Sequence, residues 1–349
     1  MHPYKNLPER QFWKSAVSVN HFSKIKEIWS PNFSLNADTL VASYGSCFAQ
    51  YIGRRLDEAG YSWNITETAP GWVDPEVRRD FGYEIFPART GNIYTASSAL
   101  QWLEGAVDKS KRCYEMSVDT GGGGVRDYLR SRLEPEPFGS VDECTRSLDR
   151  SYDCFLESIS TSEVLIFTLG LTERWVNSAS GYEYPVCPGT VIGVFDGAMH
   201  KFHNLKYHEI LASLQNFLAI CSRINKSLQI VFTVSPVPLT ATFQDDHVLV
   251  ASSYSKSVLR AVVGELVIES ENVNYFPSYE MFSSPKFAGT FYDVNGRSVT
   301  QMGVDFVMEK FFHPFEGDLD NHRRPETGYA GENVDANCDE AFLEFFRGA

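Results

Sequence analysis

Residues 39–44, 164–169, 228–234 and 273–276 are short apolar runs, and each is followed along the chain by a stretch with helical spacing. The runs at 164–169 and 228–234 lack polar alternation, so both faces of such a strand must be covered. Strands of this kind that alternate with helices of 10–20 residues specify a mostly parallel sheet with helices on both faces. In the first helix Phe48, Ile52 and Leu56 recur at helical spacing, and Gly60 closes it. Residues 92–106, 152–160, 207–225, 254–270 and 302–312 read as further helices, and 61–65 as a second short strand.

The remaining stretches divide the chain. Residues 1–35 are aromatic-rich but aperiodic and read as an arm packed on the main domain, which occupies 36–313. Residues 66–150 form a large insertion, a lid or substrate-shaping wall. Its Gly121-Gly122-Gly123-Gly124 run reads as a flexible loop, because no Gly-Lys-Ser/Thr follows it and no strand is expected before it. Residues 314–349 are an acidic tail that Phe342, Leu343, Phe345 and Phe346 are suited to dock.

Composition narrows the function classes. With 349 residues, one large domain with insertions fits as well as two small ones, and 43% hydrophobic content suffices for a core. The net charge of −14 argues against nucleic acid as a partner, since neutralising phosphates supplies most of such affinity. No leader or bilayer-spanning run is read, so a cytoplasmic location without a membrane span is expected. The seven cysteines are odd in number and scattered, which reads as free thiols and no metal site.

Buried parallel strands expose little except their carboxyl ends. Those ends are Gly45-Ser46-Cys47, Gly170-Leu171-Thr172-Glu173, Ser235-Pro236 and the turn Ser278-Tyr279-Glu280, and they should converge on one crevice. Cys47 is the sharpest candidate there. A thiol in the first helical turn meets the positive end of the macrodipole, which favours the nucleophilic thiolate. The competing reading is a small buried hydrophobe. Ser46 suits an N-cap.

Tyr44-Gly45-Ser46-Cys47-Phe48-Ala49 resembles the motif that names the GSCFA family. Further matching stretches are Phe167 to Glu173, Tyr184 to Thr190, Thr233 to Thr240, Tyr254 to Arg260 and Tyr275 to Glu280, and the resemblance runs from about 35 to about 312. The family looks like a branch of the SGNH/GDSL-like hydrolases, three-layer α/β/α sandwich enzymes that cleave or transfer acyl esters, often on carbohydrates. The resemblance puts Cys47 at the nucleophile position and Gly170-Leu171-Thr172 at an oxyanion-donor block, with the Thr172 hydroxyl in place of an amide. It also implies an Asp-x-x-His near 295–298, where the chain reads Asn295-Gly296-Arg297-Ser298 and offers no histidine.

The general base must then come from elsewhere. His247, on the loop before the 254–270 helix, and His200 or His203 are candidates, although a loop histidine is more often solvated. Glu280 and Glu173 are alternatives if desolvated beside the thiol. Lys256 or Arg297 near a helix-start thiolate would remove the need for a base. Cys187 either faces the crevice or belongs to a rigid Pro-Val-Cys-Pro-Gly turn.

The leading expectation is an O-acyltransferase or esterase acting on a carbohydrate or polysaccharide precursor through a Cys47 thioester. The alternative is a non-catalytic protein that binds a glycan or nucleotide-sugar on a degenerate scaffold. No resident cofactor is expected. A transferase needs an activated donor such as acyl-coenzyme A, for which the sequence shows no site. A redox-sensing role is weaker, because no second cysteine lies near Cys47 in sequence.

Overall fold

The computed structural model describes residues 2–118, 123–287, 289–315 and 338–348. Along the chain, β1 (Val41–Gly45) leads into α1 (Cys47–Glu58), and α2 (Ala96–Val107) follows a long loop. A hairpin of β2 (Met116–Val118) and β3 (Val125–Asp127) precedes α3 (Val141–Thr161). Next come β4 (Val164–Leu169), β5 (Glu173–Asn177), β6 (Glu183–Tyr184) and β7 (His200–Asn204). The chain continues through α4 (Tyr207–Ile224), β8 (Gln229–Val234) and α5 (Val248–Glu269). It then runs through β9 (Val273–Phe276), α6 (Ser278–Ser283) and α7 (Gln301–Phe312).

β1, β4, β8 and β9 form a parallel sheet in the order β1-β4-β8-β9. Alternate side chains leave opposite faces. Ala42, Tyr44, Leu165, Phe167 and Phe232 join a core with Leu103, Phe155, Phe217 and Val262, from α2, α3, α4 and α5. Val41, Val164, Ile166 and Val231 meet Phe48, Ile52, Phe282 and Phe311, from α1, α6 and α7. The architecture is a three-layer α/β/α sandwich. Among the described residues no helix is long and apolar enough to cross a membrane.

The N-terminal arm adds to the second core. Ile25, Trp29 and Leu35 are buried, and Trp29 stacks on Phe311 at a centroid distance of 4.9 Å. Trp13 stays exposed. Burying large side chains of this kind contributes about 1.5–3 kcal/mol each, which fixes the arm from its middle onward.

Several elements differ from the sequence expectation. Residues 61–65 make one parallel bridge, Val41 with Trp63, and no strand forms. The helix expected at 152–160 begins at Val141, because Ser140 Oγ accepts from the Glu143 amide and Glu143 Oε2 accepts from the Gly139 amide. The region after β4, expected as turns and loops, folds into an antiparallel sheet in the order β6-β5-β7. α5 starts at Val248 and not at 254. Gly123 and Gly124 lie between β2 and β3, while Gly121 and Gly122 fall outside the described residues.

Candidate active site

The turn from β1 into α1 depends on Gly45. Its φ of 133° belongs to glycine, and an added Cβ would lie 2.2 Å from the Thr168 carbonyl oxygen. The Ser46 amide then donates to that carbonyl at 3.0 Å, which locks the turn to β4. Residues 92–95 lace across it: the Ile93 amide donates to Gly45 O at 2.8 Å, and the Gly170 amide donates to Tyr94 O at 2.8 Å.

Ser46 occupies the N-cap position, but its side chain accepts no helical amide. Its hydroxyl is buried and has no partner among the described residues. Cys47 opens α1 with 5% of its surface exposed, at one wall of a cleft of about 640 Å³.

Cys47 is surrounded by polar groups. Its thiol donates to Cys338, which lies in the C-terminal segment. Arg297 donates from Nη2 to Cys338 Sγ at 3.6 Å and to Glu340 Oε2 at 3.4 Å, and from Nε to Pro238 O at 3.2 Å. Lys256, 4% exposed on α5, donates from Nζ to Gly170 O at 2.5 Å. Asp339 anchors the segment: its Oδ2 accepts from Asn92 Nδ2 at 2.8 Å and from the Tyr94 hydroxyl at 3.1 Å. Gln50, from α1, donates to Asn92 Oδ1 at 2.9 Å and completes the chain.

The electrostatics follow from these contacts. Cys338 lies well below the ordinary thiol range, at about 6, because the Cys47 thiol donates to it and Arg297 stands beside it. The same donation, followed by burial, pushes Cys47 up. Of the two sulfurs, Cys338 is therefore the more acidic. The expectation that the helix start lowers Cys47 is corrected: the contact with Cys338 and burial shift it up. Burial lowers Lys256 to about 8 and raises Glu340 to about 8.

The sequence candidates separate into two groups. Gly45, Ser46, Cys47, Gly170, Lys256 and Arg297 come together around the sulfur pair, and Glu173 lies close enough to act on Glu340. Glu173 also accepts from Thr242 Oγ1 at 2.5 Å and Gln244 Nε2 at 3.1 Å. The other candidates are engaged elsewhere. The Thr172 hydroxyl donates to Asn204 Oδ1 at 2.6 Å, and its amide donates to Ser255 Oγ at 3.0 Å. Glu280 accepts from Arg260 Nε at 2.7 Å and from the Tyr275 hydroxyl at 2.6 Å. His247 is the exposed N-cap of α5, accepting from the Leu249 amide at 3.2 Å. His200 and His203 stand on β7 and not in a loop; His200 accepts from the Asp196 amide and His203 pairs with Glu209 at 2.8 Å. Cys187 is half-buried, its thiol 3.5 Å from its neighbour Pro188 O. Among the described residues no histidine lines the cleft.

Sequence reasoning missed Cys338, Asp339, Glu340, Asn92 and Tyr94. Of the tail aromatics expected to dock, Phe342 takes the Arg132 guanidinium over its ring at 4.7 Å, while Phe345 and Phe346 remain exposed. A second cysteine followed by two carboxylates was the available signal.

The sequence profile of the GSCFA family matches residues 40–311. The chain belongs to the GSCFA family. No curated protein matches it. The GSCFA match includes Cys47, Gly170, Lys256 and Arg297, and ends before Cys338, Asp339 and Glu340.

Proposed function

We propose that this chain is an acyl-ester enzyme, an O-acyltransferase or esterase acting on a carbohydrate or its precursor, with Cys47 accepting the acyl group. The observation that carries the reading is the position of one sulfur. Cys47 opens a helix at the carboxyl end of a parallel strand, beside an open cleft and among Cys338, Arg297, Lys256 and Glu340. In this reading the Cys47 proton passes to the Cys338 thiolate as the Cys47 sulfur attacks the acyl carbonyl. A C–S bond forms, the bond to the leaving oxygen or sulfur breaks, and Cys338 returns the proton to the leaving group. An acceptor hydroxyl or water then attacks the thioester, gives its proton to Cys338 and releases Cys47. Cys338 finally hands that proton back to Cys47.

The tetrahedral oxygen needs donors in a water-poor site. We assign that role to Arg297 and to the unpartnered Ser46 hydroxyl. Transfer during glycan assembly fits a chain expected inside the cell better than degradation outside it. The test uses p-nitrophenyl acetate as acyl donor. The expected result is an acetyl adduct on Cys47 that hydroxylamine removes, and a fall in turnover of about 10²–10⁴-fold in Cys47→Ser. A folded Cys47→Ser protein with unchanged turnover ends the reading.

The second reading, a non-catalytic glycan or nucleotide-sugar binder, is favoured by the absence of an imidazole from the described cleft lining. It predicts that no acyl adduct forms at Cys47 under any donor.

A further inference from the structure

The cleft beside Cys47 is lined by Arg54, Arg79, Arg132 and Arg297, in a chain whose net charge is −14. Arg79 and Arg132 also line an adjoining cleft of about 520 Å³, which Arg126 joins, so the basic wall continues beyond the thiol pair. Elsewhere Arg55, Arg89, Arg112, Arg130, Arg174 and Arg260 each hold a carboxylate. Arg54, Arg79 and Arg132 form no ion pair among the described residues. Two carboxylates line these clefts: Asp80, in both and exposed, and Glu134, in the second, which pairs with Arg89. Burial and then the neighbouring charge of Arg79 lower the pKa of Arg54, and the Arg54 Nε is buried with no partner. Glu58 offsets part of this effect on Arg54, and like charges held together cost free energy that a bound anion relieves.

The same cleft carries aromatic surface. Phe342 and Phe345 line it, and the Phe345 ring is 76% exposed. Guanidinium groups recognise phosphate oxygens in forked pairs, and an aromatic face takes a nucleobase by stacking. From this arrangement we propose that the cleft binds the nucleoside diphosphate part of a substrate. Two substrates of an acyltransferase share that chemistry: an acyl-coenzyme A donor, through its 3′-phosphoadenosine diphosphate, and a nucleotide-activated sugar acceptor. The assignment to donor or acceptor rests on the acyl-transfer reading; the binding site itself does not. It supplies the donor site that the sequence lacked if the adenine handle is preferred.

The experiment is calorimetric titration of the full chain carrying Cys47→Ser, so that no acyl chemistry intervenes, with 3′-phosphoadenosine 5′-diphosphate, uridine diphosphate and inorganic pyrophosphate. One nucleotide is expected to bind at least about ten-fold more tightly than pyrophosphate, the contribution of the stacked base. Arg79→Gln and Arg132→Gln are each expected to weaken it about ten-fold or more. With all arginines intact, affinity must fall as ionic strength rises, which checks the site without any arginine substitution. Preference for the adenine compound identifies the donor site, and preference for uridine diphosphate the acceptor site. The proposal is overturned if none of the three binds at roughly 1 mM, or if binding is indifferent to both substitutions and to salt. Binding that persists while Cys47→Ser keeps full turnover removes the acyl reading and leaves the nucleotide site standing. Cys47-dependent hydrolysis of a neutral ester without nucleotide binding does the reverse.

Discussion

Gly45 shows how one residue can hold a site together. Any side chain there collides with the Thr168 carbonyl and must also take a φ of 133°. Gly45→Ala is therefore expected to destabilise the fold by about 2–3 kcal/mol or more, seen as a lower urea midpoint at unchanged slope. An unchanged midpoint would mean that β1 and β4 can separate without cost. The thiol pair gives a second prediction. Donation to Cys338 is the largest cause raising Cys47, and receipt of that donation is the largest cause lowering Cys338. In Cys338→Ala the pH midpoint for alkylation of Cys47 by iodoacetamide should move down, since Arg297 then acts on it without the opposing sulfur. In Cys47→Ala the midpoint for Cys338 should move up from about 6. Midpoints that stay fixed in both variants would show that the sulfurs do not share a proton. At this scale the sequence points to Cys47 at a strand end and to Lys256 and Arg297 as nearby cations, and the fold brings the three together. The sequence did not disclose the direction of the Cys47 shift, which is set by a residue 291 positions away.

Elements were legible where hydrophobic pattern alone decides them. The four strands of the parallel sheet are apolar runs buried on both faces, which makes them legible in the sequence. Hydrophobic pattern marks only the second half of α3, because its first turns carry charged residues, and its start is signalled instead by Ser140-Val141-Asp142-Glu143. β5 and β7 were missed because Glu173, Arg174, His200, Lys201 and His203 obscure the alternation. The hairpin of β2 and β3 is tied to α3 through Arg130, which donates to Asp127 Oδ2 at 3.0 Å and to Ser151 Oγ at 2.7 Å. Arg130 and Asp127 are both buried, so removing one partner leaves a buried charge uncompensated. Asp127→Ala is expected to cost about 3–5 kcal/mol, read as a fall in unfolding midpoint. A loss under about 1 kcal/mol would show that water reaches the pair.

For the whole molecule, the decisive contact joins the two ends of the domain. The fold class followed from the rhythm of strands and helices, but nothing in periodicity tells where a short polar segment at the far end of the chain will dock. Cys338, Asp339 and Glu340 are placed by hydrogen bonds and charge, through Asn92, Tyr94 and Arg297, and such partners become visible only once the sheet has gathered its loops. Oxidation offers a direct test of that docking in the intact chain. Diamide accepts the two thiol hydrogens and leaves a disulfide, so it joins only sulfurs that meet. Peptide mapping after brief treatment is expected to show Cys47 linked to Cys338 in preference to any other pair. Asp339→Ala removes the carboxylate that holds the segment to Asn92 and Tyr94, and hydrogen bonds to a charged group contribute about 1.5–3 kcal/mol. Because about 1.4 kcal/mol is a factor of ten in an equilibrium constant, the docking constant should fall at least about ten-fold and the cross-link should form more slowly in that variant. A cross-link equally fast without Asp339 would place the anchor elsewhere. A wild-type chain that pairs Cys47 with Cys113 or Cys187 as readily as with Cys338 would detach the segment from the site and, with it, the proton partner assigned to Cys47.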